Sequence, residues 1–205
     1  MLNRIWRDIW TGLDCTEPPG LLAAIRAAYA EPWREYHTAQ HLQECLLLWD
    51  ETRQGDPEEL LIALALYFHD AVYDPRAPDN EARSADWAAR ALGAAGVADE
   101  VIARIVALIL ATRTHDSGND PLTARLLDID LAILGSDAAR FAEYERQIRA
   151  EYGWISSSDY REGRGRVLRG FLERPAIFQT PAFFTRFEQP ARRNLAAALA
   201  ALDRA

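Results

Sequence analysis

A chain of 205 residues, 49% hydrophobic and 26% charged, has enough apolar material for one sizeable core, and that composition argues against disorder. Its formal charge of −8 gives no general attraction to nucleic acid or anionic membrane, so any phosphate binding has to come from a local site. All 23 basic residues are arginines, which excludes a P-loop lysine and a Schiff-base lysine and leaves arginine's planar fork as the fixed cation for gripping phosphate.

Apolar residues recur at helical spacing almost everywhere, and strand-like alternation is scarce. The chain opens on MLNRIWRDIW, charged and apolar by turns and without a signal-peptide core, and a first helix is predicted over 3–13. After Glu17-Pro18-Pro19-Gly20 the pattern predicts a helix over 19–30, then one over 39–53 with Thr38 as its N-cap. Gly55-Asp56-Pro57 breaks the chain, and a helix over 57–69 follows, holding the longest apolar run, Leu60 to Phe68. That run is too short to span a bilayer. Beyond Asp74-Pro75-Arg76-Ala77-Pro78 come helices over 80–95 and 98–112, and beyond Ser117-Gly118-Asn119-Asp120-Pro121 one over 120–134. Helices over 137–151, 158–173 and 187–203 complete an all-α chain, with Asp56, Asp79 and Asp120 as further N-caps. No long linker, repeat or low-complexity tract interrupts it, so a single helical domain is the economical reading. Cys15 and Cys45 stand far apart in no CxxC pattern, which suits a reducing compartment and excludes a disulfide framework or cysteine-rich zinc site. A cytoplasmic protein that does not enter the membrane is expected.

The four histidines are His37, His41, His69 and His115. His41 falls in the first turn of the helix after Thr38, and His69-Asp70 ends the apolar run LLIALALYF. Asp130 sits inside LLDIDLAIL, where an unpaired carboxylate would be costly. Neighbouring helical residues project about 100° apart, so His69 and Asp70 cannot share a stripe, but at a helix end they can converge on an ion seated between them. Imidazole with carboxylate suits manganese, iron, cobalt, nickel or zinc better than magnesium. Taken singly, each residue also has a structural reading: a hydrogen-bonded core histidine, a helix-end aspartate, an aspartate paired to arginine. The ordered combination H…HD…D is the stronger signal.

With EPWREYHTAQHL, ALYFHDAVYD, DNEARSA, LILATRTH, LLDIDLAILG, IRAEY, GR..VL.GFL and ARRNL, the chain resembles the HD superfamily of metal-dependent phosphohydrolases over about residues 29–196. The resemblance implies a single HD-type helical bundle, with a motif-bearing core over about 29–135 and C-terminal helices over 137–205 packing on it. It implies His41, His69, Asp70 and Asp130 as metal ligands, His41 being preferred to His37 and Asp130 to Asp128. It implies a divalent metal ion as cofactor, and hydrolysis of a small phosphate ester or anhydride, of which a nucleotide is one example, by a metal-activated water.

Around that set, Glu81 and His115 are candidates for proton transfer, with Asp70 also at the reacting centre. Arg34, His37 and Asn80 are candidates for substrate contact, while Arg149, Tyr152 and Arg164 are weaker ones with a structural salt bridge as the competing reading. Glu81 has an equally simple role complementing the helix dipole. Two other functions compete. One is a non-catalytic nucleotide sensor on the same fold. The other is a dinuclear iron oxygenase, whose relatives carry two histidines between the HD dyad and the last aspartate where this chain offers His115 alone.

Overall fold

The structure, a computed structural model, describes residues 2–204. Those residues form ten α-helices and one 3₁₀ segment with no strand among them, the all-α architecture expected from the periodicity. None of the described helices is long and apolar enough to cross a membrane. The chain divides into two compact units, Met1–Ile129 and Asp130–Ala205.

The first unit holds α1 (Leu2–Gly12), α2 (Leu21–Ala28), α3 (Ala39–Thr52), α4 (Glu59–Phe68), α5 (Asn80–Ala94), α6 (Asp99–Ala111) and α7 (Pro121–Asp130), the last passing one residue beyond the division. Every residue of α4 from Ile62 to Phe68 is buried. A helix apolar on all sides needs neighbours on all sides, and α4 packs on α1, α3, α5 and α6. Against its flank Trp6 meets Trp10 and Tyr67 edge-on, and the Tyr67 hydroxyl donates to the Leu2 carbonyl at 2.7 Å. At its C-terminal end α4 delivers His69 and Asp70.

Loop chemistry fixes where these helices start. Thr38 caps α3 by accepting from Gln40 N, and Asp120 accepts from Thr123 N at 2.7 Å over the first turn of α7. Buried Glu59 accepts from Gln54 N and Gly55 N and pairs with Arg125 of α7, which ties the α3–α4 connection to the helix that carries Asp130. Asp79 stands at the N-cap position of α5 but makes no side-chain cap there.

The second unit holds the 3₁₀ segment Leu131–Gly135, α8 (Ala138–Glu151), α9 (Ser157–Glu173) and α10 (Pro181–Leu202). The helix expected over 120–134 thus ends at Asp130 and tightens into 3₁₀ geometry. The helix expected over 187–203 begins six residues earlier, with Pro181 in its first turn and Pro190 carried inside it. Buried Glu188 secures this extension by accepting from Ile177 N, Phe178 N and Arg192 Nε. Arg192 also donates to the carbonyls of Leu172 and Arg174, and Asn194 donates to those of Leu134 and Ser136, so ARRNL knits α10 to its own unit. Gly135 permits the close approach of α10: a Cβ there would lie 2.8 Å from the Phe187 backbone oxygen.

Candidate metal centre

Two imidazoles and a carboxylate meet at the end of α4. His41 Nε2 lies 3.1 Å from His69 Nε2, and Asp70 Oδ2 lies 3.0 Å from His69 Nε2 and 3.5 Å from His41 Nε2. Asp130 completes the group: His41, His69 and Asp130 each offer a ligand atom within 4.8 Å of the others. Both histidines are buried, and Asp130 is half-buried. Asp128, the competing aspartate, is wholly buried and lies outside this cluster. The two point about 200° apart on the same helical turn, so one of them facing the histidines turns the other away.

The tautomer of His69 decides what this arrangement holds. Its Nδ1 lies 2.8 Å from the Leu66 carbonyl, which can only accept, so Nδ1 carries the proton. In the neutral ring Nε2 then presents a lone pair to the Asp70 carboxylate and to His41. Such a meeting of acceptors needs a positive charge between them, either a second proton on the ring or a cation. A carbonyl bonded to the far nitrogen is the arrangement that orients metal-ligating histidines. The donor set therefore fits a divalent ion of the borderline kind. Burial works to raise the Asp70 carboxyl, but the adjacent His69, His37 and His41 outweigh it and hold the group well below the usual carboxylate range.

The HD turn is clamped from several sides. The Arg34 guanidinium donates to the carbonyls of His37 (3.1 Å), Asp70 (2.6 Å) and Ala71 (3.1 Å), and twice to Glu31. That accounts for all five of its N–H groups, and its side chain is fully buried. Arg34, expected at the substrate, is instead a structural brace with no donor left for phosphate. Asn80, also expected there, is a loop clasp: it accepts from Asp74 N and donates to the carbonyls of Asp74 and Ala77. Sequence reasoning missed Tyr29, whose hydroxyl accepts from Asp70 N at 3.3 Å and is pushed up to about 12 chiefly by burial. It also missed Ser84, whose hydroxyl accepts from Val72 N. Tyr29 ends the apolar helix α2 and Ser84 lies among the charged residues of α5, so neither stands out from its neighbours in the sequence.

His37 lies at the rim, half-buried, its ring stacked on Tyr73 at 4.1 Å and 6.0 Å from the ring of His41. Glu81 is half-buried in the first turn of α5, and His115 follows α6 with a left-handed backbone, φ 52°. Neither belongs to the histidine–aspartate cluster found among the described residues. Buried Cys45 places its Sγ 3.7 Å from His41 Nδ1. Arg149 donates to the Tyr152 carbonyl and lies over the Tyr160 ring, while Arg164 pairs with Glu145, so the arginine of GRGR has a structural partner. No family model, curated protein or solved structure matches the chain.

Proposed function

We propose that the chain is a metal-dependent phosphohydrolase of the HD type, acting on a small phosphate ester or anhydride. The observation that carries this reading is the convergence of His41, His69 and Asp70 at 3.0–3.5 Å, with His69 locked in the tautomer that presents Nε2. The order of the motif and the ligand atoms that His41, His69 and Asp130 offer within 4.8 Å of one another support the same reading.

His41, His69, Asp70 and Asp130 would hold the ion. When bound, a divalent ion of this kind supplies Lewis acidity and lowers the pKa of a coordinated water toward neutrality. The chain's own residues do the rest. Leu66 O fixes the His69 ring, and Arg34 and Tyr29 fix the backbone of Asp70, so the donors are arranged before substrate arrives. His37, at the rim and acting electrostatically on Asp70, is the side chain best placed to meet a phosphoryl oxygen or pass a proton to the leaving group. Glu81 and His115 remain the alternatives for that proton.

The test is metal analysis of the purified protein together with a screen of phosphate esters and nucleotides in manganese, cobalt and nickel. Turnover is expected, with loss of both metal and activity in His69→Ala and Asp70→Ala. Full metal content and activity in those variants would defeat the reading. Tight nucleotide binding without turnover would make the domain a sensor.

A further inference from the structure

The second unit contains a cleft of about 800 Å³ that the metal centre does not use. One stripe of α10, Ala197, Ala198, Ala201 and Leu202, forms its floor, and Phe141 and Ala142 of α8 face the same space. Spacings of three and four residues place these side chains on single helical faces. Ala197 and Ala201 are exposed although apolar, so the stripe lacks a covering neighbour. Such a volume falls in the range of small-molecule sites, roughly 300–1,000 Å³.

The rim carries the opposite character. Arg146, Arg149 and Arg161 all line the cleft of a chain whose net charge is −8. Arg146 and Arg161 are exposed and make no ion pair or hydrogen bond among the described residues. Arg149 is braced, donating to the Tyr152 carbonyl at 2.8 Å with its guanidinium 4.6 Å over the Tyr160 ring, so its remaining donors are held in place. The one acid of the lining, Glu145, is already paired with Arg164. Tyr160 adds an independent sign: it lines the cleft, is 7% exposed, and its hydroxyl has no hydrogen-bond partner. A buried hydroxyl without a partner marks a place where a group is missing.

We propose that this cleft binds a long-chain alkyl carboxylate, a fatty acid, with its chain on the alanine stripe and its head group on the three arginines. The floor favours an alkyl body over a nucleoside. Its polar member Asn194 has both Nδ2 hydrogens committed to backbone carbonyls, which leaves no amide donor there to read a base or sugar. An arginine fork matches a carboxylate in two parallel hydrogen bonds.

Calorimetric titration of the intact protein with dodecanoate, below its micelle concentration, tests this. Saturable one-to-one binding is expected, with dodecanol and dodecyltrimethylammonium at least tenfold weaker. Charge reversal at the two exposed arginines, Arg146→Glu with Arg161→Glu, should weaken dodecanoate at least tenfold without moving the thermal midpoint. Ala198→Trp should fill the cleft and abolish binding, while His69→Ala should leave it unchanged. Equal binding of the neutral or cationic amphiphile, or no saturation, would overturn the proposal. Tighter binding of dodecyl phosphate would overturn the carboxylate assignment. A dimer that Ala198→Trp converts to monomer would assign the cleft to a second copy of the chain instead.

Discussion

Arg34 shows how a residue read as a substrate contact can serve the site from behind. A guanidinium with all five N–H groups bonded to protein, and no solvent exposure of its side chain, cannot reach a phosphate without leaving three carbonyls unpaired. Arg34→Met should therefore cost stability first, on the order of 1–3 kcal/mol for each buried carbonyl left without a donor. Metal content should fall with it, because the Asp70 carbonyl loses its anchor. Urea unfolding and metal analysis of that variant check this, and a raised KM at unchanged stability would return Arg34 to the substrate. The same residues explain how far the site was legible in the sequence. His41, His69 and Asp130 announce themselves as polar groups at the edges of apolar helices, so their meeting could be expected from the motif alone. The strings around them are informative for a different reason, since Glu31, Arg34, Asn80 and Ser84 secure the turn after the dyad. A sequence gives residue types but not which way a guanidinium points, so brace and phosphate grip look alike in it.

At the scale of elements, the helices that present ligands are secured by their first turns. Asp120 accepts from Thr123 N and Oγ1 at the start of α7 and from Arg104 at 2.8 Å. Partial burial alone would raise its carboxyl, but the bonds from Arg104 and Thr123 dominate and bring it from the ordinary 3.8 to about 2. A carboxyl lowered on folding contributes stability that is fully present above pH 3.8 and is lost as pH falls through about 2. Urea midpoints should drop across that window, and Asp120→Asn should flatten the drop while lowering the midpoint at neutral pH. An unchanged acid slope in the variant would show that other carboxylates govern acid unfolding. Periodicity placed most helices within a few residues, because α1 and α3–α6 bury one regular face or are apolar throughout. It failed at the start of α10, which was expected from 187 but begins at Pro181. Buried Glu188 holds the chain just ahead of that start by accepting from Ile177 N and Phe178 N, a contact ten or eleven residues back that local spacing does not reveal.

For the whole molecule, the candidate ion ties chemistry to stability. His41, His69 and Asp70 lie in the first unit, and Asp130 follows its last residue on the same helix. The unfolded chain does not assemble these four donors, so an ion that binds them stabilises the folded state by mass action. The gain is about 2.7 kcal/mol when the ion is present at a hundred times its Kd. In a chain of this size each kcal/mol moves the thermal midpoint by about 2–4 °C. Scanning calorimetry should thus show a rise of roughly 5–10 °C with manganese, cobalt, nickel or zinc, within that same conversion. The control matters because the surface is acidic, with 31 carboxylates against 23 arginines, and any divalent cation will associate with it weakly. Magnesium supplies that control: it shares the charge but binds imidazole nitrogen poorly, so its shift should be small. Asp70→Asn, which removes one of the two carboxylate ligands while keeping its shape, should reduce the cobalt shift well below that of the parent chain. If magnesium shifts the midpoint as much as cobalt does, or if the Asn variant responds to cobalt as strongly as the parent chain, the stabilising ion sits on the acidic surface and not between the two histidines.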